Sequence, residues 1–196
     1  MKLVRKGFTL LEVLITLAVF SIGLLGLAGL QIKSLKLAHD SFSRTIAAIL
    51  SEEMADRIRA NRALARKGIN SFYNNPNRNQ LGNPRCLGKN NLGFFLNSSC
   101  TPEEMALHDF YEWYGRINGR LATSWHPEQH AQLPSASAVV CIDSTPNDGV
   151  PGDPQCDNVL TDPNLPIYTI KIWWIERKKD ANQNVTLHSH ISTVAI

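Results

Sequence analysis

A run of 23 residues, Phe8 to Leu30, carries a single charged side chain, the carboxylate of Glu12, and this run limits what the chain can become. As a helix it would be about 35 Å long, enough to cross a bilayer. An ionised side chain at bilayer depth costs on the order of 3 kcal/mol, so Glu12 demands a partner. Lys2, Arg5 and Lys6 precede the run, which predicts a cytoplasmic N-terminus and export of everything after Leu30. A cleaved secretory signal would have a shorter apolar region ending in small residues. Here the run continues into further helical pattern, so any processing is expected ahead of the span.

Hydrophobic residues make up 43% of the 196 positions and charged ones 19%, which suits one modest domain with an appendage. The net charge of +3 belongs to the three basic residues before the span; the other Lys and Arg equal the 17 acids in number. There is no general electrostatic case for a nucleic-acid surface. Export makes disulfides possible. Cys86 and Cys100 bracket one short segment and Cys141 and Cys156 another, so the two local pairings are favoured among the three possible. In the loop-entropy model each is worth about 3 kcal/mol. A zinc site would want close Cys-x-x-Cys pairs, which the sequence lacks.

Past the span, Leu35, Ala38, Phe42, Ile46, Ile49, Met54 and Ile58 recur at helical spacing. Arg66 and Lys67 followed by Gly68 suit a helix C-terminus. The expectation is one unbroken helix from Phe8 to Lys67, on the order of 90 Å long. Gly23, Gly26 and Gly29 mark either close helix packing or local melting. The chain thus divides into a leader (1–7), a transmembrane segment (8–30), an amphipathic half-helix (31–67) and a globular head (68–196). In the head, 68–101 reads as a long loop held by the first disulfide. "TPEE" opens a second helix with Thr101 as N-cap, Pro102 in the first turn and Glu104 completing a capping box. Leu107, Phe110, Tyr114, Ile117 and Leu121 form its core stripe. "SAVVCID" is a short strand. "IYTIKIWWIER" and "VTLHSHISTVAI" alternate as the two strands of an antiparallel hairpin, with Val185, Leu187 and Ile191 opposite Thr186, His188 and His190. The fold class is α+β: a long N-terminal helix packed on a small antiparallel sheet with disulfide-closed loops.

"KGFTLLEV" resembles the type IV prepilin signal: a short basic leader ending in Gly7, then Phe8, with Glu12 as the fifth residue of the mature chain. "EEMADRIRANR", "VVCIDSTPNDG", the following Cys156 and "YTIKIWWIE" are similar to the minor pilin family called type IV pilus modification protein PilV. The resemblance covers roughly the first 65 residues and much of the last 60. It implies cleavage between Gly7 and Phe8 by a membrane prepilin peptidase and methylation of the new Phe8 amine. It also implies pairing of Glu12 with the cationic amine of a neighbouring subunit. At an effective dielectric near 20 such a pair gains about 4 kcal/mol, enough to offset the insertion cost. The implied partners are other minor pilins, the major pilin and the inner-membrane assembly machinery. The implied location is the inner membrane, crossed once with the head in the periplasm, and then the pilus at the cell surface. The implied function is a priming or tip subunit that supports pilus-dependent motility and adhesion. A minor pseudopilin of type II secretion and a tip module that binds a surface or DNA are the alternatives.

Other patterns are weaker. Asp143, Asn147, Asp148, Asp153 and Asp157 crowd the loop between Cys141 and Cys156 and make weak calcium candidates, without the spacing of an EF-hand. His126 and His130 flank "PEQ", which departs from the zincin pattern, and His188 with His190 share one strand face. Trp173 is either an exposed anchor or covered by a loop. No phosphate-cradling glycine loop or nucleophile motif is present. The chain reads as a structural protein that needs no cofactor, not as an enzyme.

Overall fold

The computed structural model describes residues 9–76, 86, 100–119, 132–162, 164–177 and 185–196. The elements are helices α1 (Leu10–Ala60), α2 (Arg62–Ala65) and α3 (Pro102–Asn118) and strands β1 (Ser137–Ile142), β2 (Ile167–Arg177) and β3 (Val185–Ala195). The chain divides into two compact units, Met1–Phe42 and Ser43–Ile196.

In the first unit the helix presents apolar side chains all round, and every described residue from Thr9 to His39 is exposed. Two of its hydroxyls are satisfied within the helix. Thr16 donates to the Val13 carbonyl at 2.9 Å and Ser21 to Leu17 at 2.7 Å, so neither needs water. The side of each of Gly23, Gly26 and Gly29 opens on empty space.

In the second unit, burial of α1 begins at Ser43 and continues through Ala47, Leu50, Ser51, Met54, Ala55 and Ile58. Met54 and Ile58 lie on the expected stripe and Ile46 packs beside it, but Phe42 and Ile49 are 59% and 54% exposed. The contact face is therefore turned relative to the one expected, and two serines allow close approach. The expected helix to Lys67 is also interrupted. Asn61 leaves helical geometry at φ −103° and ψ 46°, and its side-chain amide donates to the Pro102 carbonyl at 2.7 Å. After α2 the chain turns at Gly68, whose φ of +59° suits glycine, so the expected stop stands at that position.

Helix α3 starts as expected. Thr101 Oγ1 accepts from the Glu104 amide at 3.2 Å while Glu104 accepts from the Thr101 amide at 2.9 Å, a reciprocal capping box. Phe110 and Ile117 are buried and Tyr114 packs at the margin, while Leu121 lies outside the described residues. Trp113, fully buried, was not in the expected stripe; its indole N–H donates to the Leu50 carbonyl at 2.6 Å and ties α3 to α1.

The sheet runs in the order β1-β2-β3 and both pairings are antiparallel. Its inner face carries Ala138, Val140 and Ile142, then Tyr168, Ile170, Ile172 and Trp174, packed with α1 and α3 in one core. Opposite residues of an antiparallel pair share a face, so the pairings Trp174–His188, Ile172–His190, Ile170–Ser192 and Tyr168–Val194 place β3's histidines and Ser192 on the inner side. Ser51 of α1 and Ser192 share a short hydroxyl hydrogen bond there. Val185, Leu187 and Ile191 consequently lie on the outer side.

Candidate assembly site and head loop

Glu12 sits in the first turn of α1, where the dipole favours an acid. Its backbone N–H donates to Thr9 Oγ1 at 3.3 Å and to the Thr9 carbonyl at 3.1 Å, so Thr9 serves as a helix-starting cap. The carboxylate is surrounded along the helix by Leu10, Leu11, Val13, Leu14 and Ile15, all exposed. An ionised acid in such an apolar layer is costly unless a cation meets it there. Gly7 and Phe8 lie outside the described residues.

Both disulfides join the cysteines expected. Cys86–Cys100 has its Cα atoms 4.9 Å apart and Cys141–Cys156 6.1 Å apart. The second closes the acidic loop over the outer face of β1 and β2. There it buries Val139, Cys141 and Trp173 with Cys156 against them, so Trp173 is loop-covered and not an anchor.

The acidic loop contains its own cation. Lys171, on the face of β2 opposite Tyr168, Ile170, Ile172 and Trp174, is fully buried. Its Nζ lies 2.5 Å from Asp143 Oδ2 and 3.0 Å from Asp148 Oδ1, and it donates to the Asp148 and Pro154 carbonyls at 3.0 and 2.9 Å. The oxygens that a calcium ion would take from Asp143 and Asp148 thus go to an ammonium. Hydrogen bonding from Thr145 and then Lys171 holds the Asp148 carboxyl below its usual range. Asp157 accepts from the Ser144 hydroxyl and from the amides of Ser144 and Val159, which lowers its carboxyl likewise. Asp153 closes a backbone bridge with Val150. Asn147 stands in the turn between Asp143 and Asp148. Cys141, Asp143 and Cys156 lie within 4.8 Å of one another, but the two sulfurs are bonded together and provide no thiolate ligand.

A second charged cluster joins α1 to α3. Arg57 meets Glu53, Asp109 and Glu112 at 2.9, 3.0 and 3.2 Å, and Arg116 reaches Glu53 at 2.5 Å. Tyr73 donates to Asp109 at 2.7 Å. Burial works against the Arg57 charge, yet Asp109, Glu53 and Glu112 outweigh it and raise its pKa. A hydrogen bond from buried His108, with Arg57 in support, pulls the Glu112 carboxyl from 4.5 down to about 2. Burial pushes the Tyr73 phenol up. The i,i+4 spacing of Glu112 and Arg116 suggests a pair on α3 itself, but it gives no sign of the partners from α1 and from Tyr73, which come from separate segments.

His188 and His190 stand on the inner side of β3. His188 stacks on Trp174 with ring centroids 5.6 Å apart and lies 3.2 Å from a Glu176 carboxylate oxygen. Burial lowers the His190 pKa against the opposing charge of Glu52. His126 and His130 lie outside the described residues.

Residues 29–111 match the Tt1218-like family, described as Type IV pilin Tt1218. Residues 3–28 match the prokaryotic N-terminal methylation motif. The two matches abut and together run from the basic leader through α1 and into α3. No curated protein and no solved structure matches the chain.

Proposed function

We propose, with the type IV pilin match and the prepilin methylation motif as premise, that this chain is a minor pilin of the PilV type that joins a priming or tip complex for pilus assembly. The observation that carries this reading is the pairing of two parts. One is an exposed apolar helix with an acid in its first turn; the other is a disulfide-closed head with its own core. A prepilin peptidase cuts between Gly7 and Phe8 and the new amine is methylated. The mature helix stays in the inner membrane with its head in the periplasm until assembly. Glu12 then meets the terminal amine of a neighbour, and the apolar flank exchanges lipid for the helices of other minor pilins and of the major pilin.

The test is recovery of the protein in sheared surface pili, together with surface pilus number in a clean deletion whose retraction is blocked. Presence in pili with loss of piliation is the expected result. Presence with normal piliation overturns the priming role. Absence from pili, with loss of exoenzyme release and intact motility, assigns the chain to type II secretion instead. Glu12→Ala is expected to reduce recovery in sheared pili severalfold while membrane levels hold. Unchanged recovery sinks the proposed pairing.

A further inference from the structure

Lys171 and Asp143 differ from an ordinary ion pair in their surroundings and in their hydrogen bonding. Both side chains are at 0% exposure. Val139 stands directly opposite Lys171 in the sheet, and the bonded sulfurs of Cys141 and Cys156 lie within 4.8 Å of an Asp143 oxygen, so the walls of the site are largely apolar. An ammonium and a carboxylate are here held together out of water.

The three N–H groups of Lys171 are matched by three acceptors other than Asp143: the Asp148 carbonyl, Asp148 Oδ1 and the Pro154 carbonyl, at 3.0, 3.0 and 2.9 Å. Asp143 Oδ2 is left without a hydrogen-bond partner, although Nζ approaches it to 2.5 Å. The other oxygen, Asp143 Oδ1, accepts from the Thr145 amide at 3.0 Å and from the Thr145 hydroxyl at 3.4 Å. One oxygen of the carboxylate is thus polarised by donors, and the other is pressed against an amine with nothing to hold it.

We propose that Lys171 and Asp143 condense to an amide, a covalent cross-link between β2 and the segment that follows β1. The ion pair is the reactant. Nζ attacks Asp143 Cγ, which lies one carbon–oxygen bond beyond the contacted oxygen. Asp148 Oδ1, 3.0 Å from Nζ, carries two protons in turn from the nitrogen to Asp143 Oδ2. The first transfer frees the attacking lone pair, and the second lets Oδ2 depart. The Thr145 donors hold the negative charge on Oδ1 in the tetrahedral intermediate. The Nζ–Cγ bond forms and the Cγ–Oδ2 bond breaks, so a carboxylate and an ammonium give an amide and one water. No oxidant, reductant or further reactant is needed, and Asp148 ends ionised as it began. Two buried ions each carry a desolvation penalty, which the neutral amide does not, so the dry site favours the product. A lysine and an aspartate on the surface stay hydrated and unreacted.

The test is the mass of the full chain, made without prepilin peptidase so that the leader stays, purified in detergent and reduced. The expected mass is one water below that of the sequence. Protease digestion is expected to release a branched peptide that joins the Asp143 and Lys171 segments and survives reducing agent. Asp148→Asn keeps the size of the side chain and an acceptor for Nζ but cannot carry the protons. It is expected to show the full sequence mass and no branched peptide while still unfolding cooperatively. Lys171→Met with Asp143→Leu, which leaves no buried charge behind, is expected to give the same result. Full mass in the unaltered chain overturns the proposal, as does a water lost without the branched peptide. A branched peptide undiminished in Asp148→Asn overturns the role given to Asp148.

Discussion

Lys171 shows how one side chain can hold a segment that lacks regular structure. It rises from the outer face of β2 into a loop whose backbone is otherwise irregular, where it donates to two carbonyls and pairs in charge with two carboxylates. Removing one member of a buried pair leaves an uncompensated charge, at about 3–5 kcal/mol. Lys171→Ala is therefore expected to lower the Tm sharply, whereas Lys171→Met with Asp143→Leu should recover much of the loss; thermal unfolding of the three proteins checks this. Glu112 makes a different, pH-dependent contribution. Its carboxyl falls from 4.5 in the unfolded chain to about 2 in the folded one. The stability it adds is complete above pH 4.5 and drains away as the pH drops toward 2. Glu112→Gln should flatten the acid limb of a urea-midpoint profile over that window and leave its slope above pH 6 unchanged.

Among the elements, α3 was the most legible, because its start is written in local chemistry: a hydroxyl, a proline and an acid at fixed offsets. Thr101→Ala should cost about 1 kcal/mol, read from chemical denaturation, since it releases the Glu104 amide. The strands were legible too, but by different signals: β2 and β3 alternate with period two, whereas β1 is a short unbroken apolar run whose two faces are both covered. What the sequence left open was choice of side. Along α1 apolar residues occur on every face, so periodicity could not show that Ser43 and Ser51, and not Phe42 and Ile49, meet the core. In β3 the apolar half of the alternation faces outward because the register with β2 overrides the strand's own pattern. The interruption at Asn61 depended on a carbonyl of Pro102, 41 residues away, and no local signal could announce it. At the candidate assembly site, Glu12 was plain from charge alone. The Arg57 cluster and the burial of Lys171 were not, since both arise from chain segments distant in sequence.

At the scale of the molecule, burial and exposure are partitioned by chain position: the described core lies wholly within Ser43–Ile196, and the apolar surface of the first unit covers nothing of its own. A fragment beginning at Lys33 is thus expected to remain in solution without detergent and to unfold within a few degrees of the full chain in detergent. Sedimentation and thermal melts check both points. Loss of the fold in that fragment would mean that residues before Lys33 help to build the head. On the pilus role proposed above, the head's loop has a consequence of its own. Acidic loops are commonly held in shape by dissolved divalent ions, whose supply the cell does not control beyond its envelope. Here the neutralising charge is covalently part of the chain, at Lys171. Its melting temperature should accordingly be the same in calcium-rich medium and in excess chelator, so the loop would keep one shape in hard water, soft water or brine.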